Sequence, residues 1–128
     1  MNYTLNLPPN YTKPKLPGRD KWTAELRSGR RKQGHGKLQL FNGEQCCLGV
    51  LCDLQGRLGV YEQCNAGGLS TNNPLYSHLS AEGVFPSTVY VITTNNNFKH
   101  SNLAGLNDAG LTFLQIADII EAVWKNED

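Results

Sequence analysis

Apolar side chains recur along this chain in different rhythms, and each rhythm predicts a different element. Phe113, Ile116, Ala117, Ile120 and Trp124 share one face at helical spacing. Thr112 and Gln115 have the spacing of a capping box, and Leu111 with Ile116 that of a hydrophobic staple, so a C-terminal amphipathic helix is predicted from 113. In Cys46-Cys47-Leu48-Gly49-Val50-Leu51-Cys52-Asp53-Leu54, positions 47, 48, 50, 51, 52 and 54 are apolar. They surround a helix almost completely, which predicts a buried central helix stopped by Gly56. A buried strand is the alternative, weakened by Gly49 and by the single β-branched residue Val50. Thr88 to Thr94 is rich in β-branched and aromatic residues and predicts a strand ending in an Asn95-Asn96-Asn97 turn.

Shorter signals fill the rest. Asp20 is placed to N-cap a helix over Lys21 to Ser28 that ends at Gly29, with Trp22 and Leu26 on its buried face. Leu38 to Phe41 and Glu44 to Cys46 flank Asn42-Gly43, which predicts a hairpin with a type I′ turn. Ser101 to Ala109 reads as a short helix stopped by Gly110. Residues 56–83, rich in Gly, Asn and Ser, read as long loops with 57–62 extended. Pro8, Pro9, Pro14 and Pro17 make residues 1–19 an extended N-terminal arm. Tyr3, Leu5, Leu7 and Tyr11 give it an apolar grip suited to docking, with a homo-oligomer through the arm as one outcome. The expected fold is α+β: the arm (1–19), then one globular domain (20–128) with a small antiparallel sheet, a buried central helix and a C-terminal helix.

At 128 residues and 39% hydrophobic content, one modest core is expected. No apolar run approaches the roughly 20 residues of a membrane span, and no signal-peptide pattern opens the chain. A cytoplasmic protein follows as the expectation, with its four cysteines reduced. Charge changes the picture more. Nine of the twelve Lys and Arg residues lie in the first 37 positions beside only Asp20 and Glu25, so that third carries +7 and the remainder −6. Such asymmetry implies an anionic partner for the N-terminal third, packing of one half against the other, or a solvated basic face.

Lys21-Trp22, Leu26-Arg27-Ser28-Gly29, Gln33-Gly34 and Leu38, then the 46–54 segment, then Leu106-Asn107-Asp108, Gly110, Phe113, Ile116-Ala117-Asp118 and Ile120-Glu121, together resemble a family of small uncharacterised proteins that recurs in tailed-bacteriophage genomes. The resemblance covers about 40 residues toward the two ends of the domain. It implies a phage accessory protein of anti-defence type acting in the host bacterial cytoplasm, and it assigns no catalytic residue.

Candidate chemistry falls into three groups. Cys46 or Cys47 at a helix start would have a thiol favoured as thiolate by the helix dipole, with His78 or His100 as base and Asn102 or Asn107 to orient it. The flanking residues match no cysteine-protease signature, so buried structural thiols are the leading reading. Cys46, Cys47, Cys52 and Cys64 contain no C-x-x-C pair, and no metal or cofactor is expected. Gly29 to Lys37 is superficially like a P-loop, but His35 stands where that motif needs Lys and no Ser or Thr follows. A looser role remains: Arg30, Arg31, Lys32 and Lys37 around flexible glycines clamping phosphate, with Trp22 or His35 stacking on a base. Asn107 and Asp108 join them as polar candidates for ligand contact. Leu103 to Ala117 has helix-turn-helix spacing, but the acidic second helix would repel phosphate, so nucleic acid is not the expected partner. The leading expectation is a non-enzymatic protein that sequesters an anionic small molecule, in particular a nucleotide second messenger. A small enzyme (cysteine hydrolase or nucleotide-cleaving) and an inhibitor that binds a host protein by its surface are the alternatives.

Overall fold

A computed structural model of the protein describes residues 2–54, 79, 82–94 and 97–127. Among these, the chain runs β1 (Tyr3–Asn6), β2 (Lys15–Pro17), α1 (Arg19–Arg27), α2 (Cys47–Leu54), β3 (Tyr90–Thr93), β4 (Lys99–His100), α3 (Leu103–Ala109), α4 (Phe113–Val123) and β5 (Lys125–Glu127). The fold is α+β: a three-stranded antiparallel sheet ordered β1-β3-β4, and a parallel pair β2-β5. Gly56, residues 57–62, Cys64, His78 and Asn95-Asn96 lie outside the described residues, so the expectations placed on them stay as stated.

The arm is built into its own domain. Tyr3 pairs with Thr93 and Asn6 with Tyr90, and Lys15–Pro17 runs parallel to Lys125–Glu127. Tyr11 Oη donates to the carbonyl of Val123 at 2.6 Å, and the Lys125 N–H to that of Pro14 at 2.8 Å. The apolar grip of Tyr3, Leu5, Leu7 and Tyr11 closes over this chain's own core. Proline-rich sequence cannot reveal that pairing, because the partner strand β5 is three polar residues at the far terminus.

The helices form for the reasons the pattern gives, with shifted starts in α1 and in α3, which begins at Leu103, two residues after the expected Ser101. In α4, Thr112 Oγ1 accepts from the Gln115 N–H and the Gln115 side chain returns to the Thr112 backbone. In α3, Asn102 caps the Gly105 N–H at 2.6 Å, and Gly110 closes the helix at φ 108°. Helix α2 is buried at every position from Cys47 to Cys52, as a helix apolar all round must be. Helix α1 starts at Arg19, two residues before the sequence expectation. Gly18, in the left-handed region at φ 74°, turns the chain into it. Asp20 is not the cap: its N–H is satisfied by Asn126 Oδ1 at 2.9 Å, from β5, and its carboxylate holds Arg19.

The 38–46 hairpin stays outside the sheet and joins by isolated bridges, Gln39 to Gln45 and Gln33 to Gln45. Its turn is not type I′. Gly43 has φ 89°, while Asn42 keeps a negative φ. The Gly43 N–H donates to the Leu40 carbonyl at 3.0 Å and the Leu40 N–H to that of Glu44 at 2.8 Å. That is a three-residue loop, a type I turn followed by a left-handed glycine. Asn42 is held out of the left-handed region by its side chain, which accepts from the Glu44 N–H at 3.1 Å.

Much of the charge asymmetry resolves into packing of one half against the other. Lys13 Nζ reaches the carbonyl of Glu121 at 3.0 Å, and Arg19 reaches those of Glu121 and Trp124 at 3.3 and 2.8 Å. Both cations therefore satisfy the free carbonyls at the negative end of α4. Arg27 pairs with Asp118 at 2.8 Å and with Glu121. The acidic residues of the last helix thus face α1, and four of the six basic residues of the N-terminal third not used this way, Arg30, Arg31, Lys32 and Lys37, collect in the segment after it.

Candidate functional site

The Arg30–Lys37 segment is positioned by the end of α1. Gly29, at φ 76°, turns the chain back. Ser28 Oγ donates to the Glu25 carbonyl at 2.7 Å and accepts from the Arg30 N–H at 3.2 Å, so residues 30 and 31 fold against the helix they follow. There, Glu25 receives Arg30 Nη2 at 2.6 Å and Arg31 Nε at 2.9 Å. Arg31 continues inward: its Nη1 binds Gln45 Oε1 at 3.0 Å and the carboxylate of Asp53 at the end of α2. Gln45, itself buried, donates to Gln39 Oε1 at 3.0 Å and to Asp53 Oδ2 at 3.3 Å. Lys32 pairs with Glu44 at 3.3 Å across the hairpin.

Together these residues wall an open polar cleft of about 610 Å³, lined by Glu25, Arg30, Arg31, Lys32, Gln39, Asn42, Gly43, Gln45 and Asp53. Its floor is closed: Arg31, Glu25, Gln45 and Asp53 satisfy one another. Its rim is open, because the side chains of Arg30 and Lys32 are 69% and 80% exposed, and Arg30 uses one guanidinium nitrogen on Glu25. Sequence reasoning found the three cations but missed Glu25, Gln39, Gln45 and Asp53. Their partnership depends on the hairpin and the end of α2 meeting, which no local spacing encodes.

The two guanidinium hydrogen bonds hold the Glu25 carboxyl down to about 2, against burial, which pushes the other way. Burial pulls Arg31 down, but its bonds to Asp53 and Glu25 outweigh that and raise it. Glu25 therefore titrates below its unfolded value of 4.5, so its contribution to stability is present above that pH and is lost as pH falls toward 2. Between pH 5 and pH 3, the wild-type protein is expected to lose about 1 kcal/mol more in urea unfolding than Glu25→Gln, after allowance for solvent screening. Equal losses in the two proteins would show that this ion cluster does not support the fold.

The other sequence candidates are placed elsewhere. Trp22 is 0% exposed, and its Nε1–H donates to the Cys47 carbonyl at 2.9 Å, so it ties α1 to α2 and cannot stack on a ligand. Apolar spacing alone does not distinguish a core tryptophan from a stacking one. His35 is exposed, and the neighbouring Gly36 N–H donates to Asp108 Oδ1 at 2.9 Å. Lys37 Nζ stands 6.0 Å from the centroid of the Phe41 ring. Asn107 is fully buried: its Oδ1 accepts from Gln33 Nε2 at 2.9 Å and from the Cys47 N–H at 3.2 Å, and its Nδ2 donates to the Gly34 carbonyl at 2.8 Å. With these bonds made, Asn107 is a structural tie, and Asp108 pins the same loop from outside; neither lines the cleft.

Cys46 and Cys47 do sit at a helix start, but desolvation decides their state. Burial pushes the Cys46 thiol up to about 11, and the backbone N–H groups of Gly49 and Leu48 offset only part of that. Cys47, fully buried, is likewise pushed well above the ordinary thiol range by burial. Both are protonated at neutral pH and pack as small hydrophobes. His100, half-buried on β4, faces Thr93 Oγ1 at 3.3 Å, and burial lowers it. Among the described residues, no hydrogen bond joins it to either thiol.

Fold and site define a small α+β protein with a polar, cation-rimmed cleft between its first helix, its hairpin and its central helix. By sequence profile the chain belongs to a family described as a domain of unknown function (DUF8296), matched over residues 15–90, more than half its length. The match spans β2, α1, the basic segment, the hairpin and α2, and so every residue that lines the cleft. No curated protein and no solved structure matches the chain. No described helix is long and apolar enough to cross a membrane.

Proposed function

We propose that the protein binds an anionic small molecule, a nucleotide in particular, in the Arg30–Lys32 cleft and holds it without chemistry. One observation carries this reading: a preformed 610 Å³ cleft has a self-satisfied floor and two exposed cations, Arg30 and Lys32, at its rim. A closed floor costs a ligand little reorganisation, and a guanidinium with free donors beside an ammonium suits phosphate oxygens. Arg31 is the supporting member of the trio, since Glu25, Gln45 and Asp53 already take its donors. Among the described residues, the cleft lining includes no activated thiol and no His, which favours sequestration over turnover. In the setting the phage resemblance suggests, the ligand is a host-derived nucleotide signal kept from its receptor.

A thermal-shift screen with linear and cyclic nucleotides tests it. Ligand that binds the native state raises the melting temperature by mass action. At 100 times Kd, the rise corresponds to about 2.7 kcal/mol. The double variant Arg30→Ala/Lys32→Ala is expected to melt only a few degrees or less below wild type without ligand, because Arg31 still holds Glu25, and to lose the shift. Denaturing the complex should return the nucleotide intact; recovery of a cleavage product would replace sequestration with enzymology. No shift from any nucleotide would reject the reading.

A further inference from the structure

A cleft that clamps phosphate alone does not separate a nucleotide from inorganic phosphate; something must read the base. Trp22, expected for that task, is in the core. Phe41 is an exposed aromatic residue adjacent in the chain to residues that line the cleft. It is 86% exposed, the most exposed of the large hydrophobic side chains described. The next two residues, Asn42 and Gly43, line the cleft, as does Gln39 two positions before it. Its turn is braced by the Gly43-to-Leu40, Leu40-to-Glu44 and Glu44-to-Asn42 hydrogen bonds, so the ring is presented on a fixed backbone. An isolated exposed apolar residue is ordinary. This one is at the tip of a short braced turn whose next two residues line the cleft, with the Lys37 ammonium 6.0 Å from its centroid. Gln39 adds a polar group to the cleft lining: its Oε1 is taken by Gln45, and its NH₂ has no partner among the described residues.

We propose that Phe41 is the stacking platform for an aromatic base, so that the ligand class of the cleft is a nucleoside phosphate with its base over Phe41 and its phosphate at Arg30 and Lys32. The inference rests on the anion-binding reading of the cleft and adds a specificity-determining residue to it. Base–aromatic stacking contributes on the scale that makes a nucleotide bind at least about fivefold tighter than its base-free counterpart.

The test is calorimetric titration of wild type, Phe41→Ala and Phe41→Trp with AMP and with ribose 5-phosphate. Wild type is expected to bind AMP at least about fivefold more tightly than ribose 5-phosphate. Phe41→Ala should bring AMP down to the ribose 5-phosphate level and leave ribose 5-phosphate unchanged. Phe41→Trp should keep the preference, and its added exposed-tryptophan emission should be quenched by AMP and not by ribose 5-phosphate. Equal affinities in wild type, or AMP affinity untouched by Phe41→Ala, would overturn the platform while leaving the anion site standing. Loss of ribose 5-phosphate along with AMP in Phe41→Ala would also overturn it, by showing that the ring supports the cleft instead of reading the base. Wild type that binds neither compound removes the platform and the anion site together.

Discussion

Replacing Gly49 with alanine is expected to destabilise the protein by more than about 4 kcal/mol or to leave it unfolded. A Cβ at that position would lie 1.9 Å from the Leu38 carbonyl oxygen and 2.8 Å from the carbonyl carbon. Both are backbone atoms that no rotamer change can move. Helix α2 crosses the chain at Leu38 with no side chain between them, and the same carbonyl accepts the Cys46 N–H at 3.3 Å. Making room would push α2 off a core that includes Leu38, Leu48, Val50 and Trp22, all fully buried. The sign is diagnostic, because alanine is the better helix former by about 1 kcal/mol and would stabilise an unobstructed helix. Urea unfolding followed by circular dichroism decides it: a Gly49→Ala protein as stable as wild type would mean that α2 does not pack on Leu38 in this way.

Asn107→Ala is the second large effect, with an expected loss of about 3–5 kcal/mol in the same measurement. The Asn107 side chain satisfies two buried backbone groups and the part-buried Gln33 amide at once. Its loss strands the Cys47 N–H, one of the orphan donors at the start of α2, and the Gly34 carbonyl. Gln33 keeps the Leu111 carbonyl at 2.7 Å and still accepts from the Phe113 N–H at 3.1 Å, so the start of α4 stays tied. Asn107→Asp separates a hydrogen-bonding role from simple packing. The ionised carboxylate cannot donate to Gly34, whereas the protonated one can. Burial raises the folded-state pKa of such a group, so the native state binds the extra proton and this variant should gain stability as pH falls. A variant with wild-type stability at neutral pH would show that the tie does not hold the loop.

These two residues mark where the sequence was and was not legible. The strongest local signals translated directly: the Thr112/Gln115 capping box starts α4, and an all-round apolar run makes α2 a buried helix. Failures came where a distant residue replaced a local one. Asp20 has the chemistry of an N-cap, yet Asn126 from the other terminus fills that place. Asn42-Gly43 has the composition of a type I′ turn, yet Asn42 folds its side chain onto Glu44 instead of entering the left-handed region. At the site, the cations of residues 30–32 were visible as composition. Their counter-charges Glu25, Glu44 and Asp53 come from three different elements. Trp22 and Asn107 carried the right chemistry for a ligand but sit inside, since periodicity identifies a face and not what covers it.

The central claim is that the Arg30–Lys32 cleft is where ligand binds, and amide chemical-shift mapping on the isotopically labelled protein tests it most directly. Titration with a nucleoside phosphate is expected to move the amides of residues 30–32 and 39–45 and of Asp53, and to leave those at α4 unmoved. Arg30→Ala/Lys32→Ala should abolish the effect with the rest of the spectrum preserved. Shifts confined to other surfaces, or a spectrum indifferent to every nucleotide at millimolar concentration, would contradict the account.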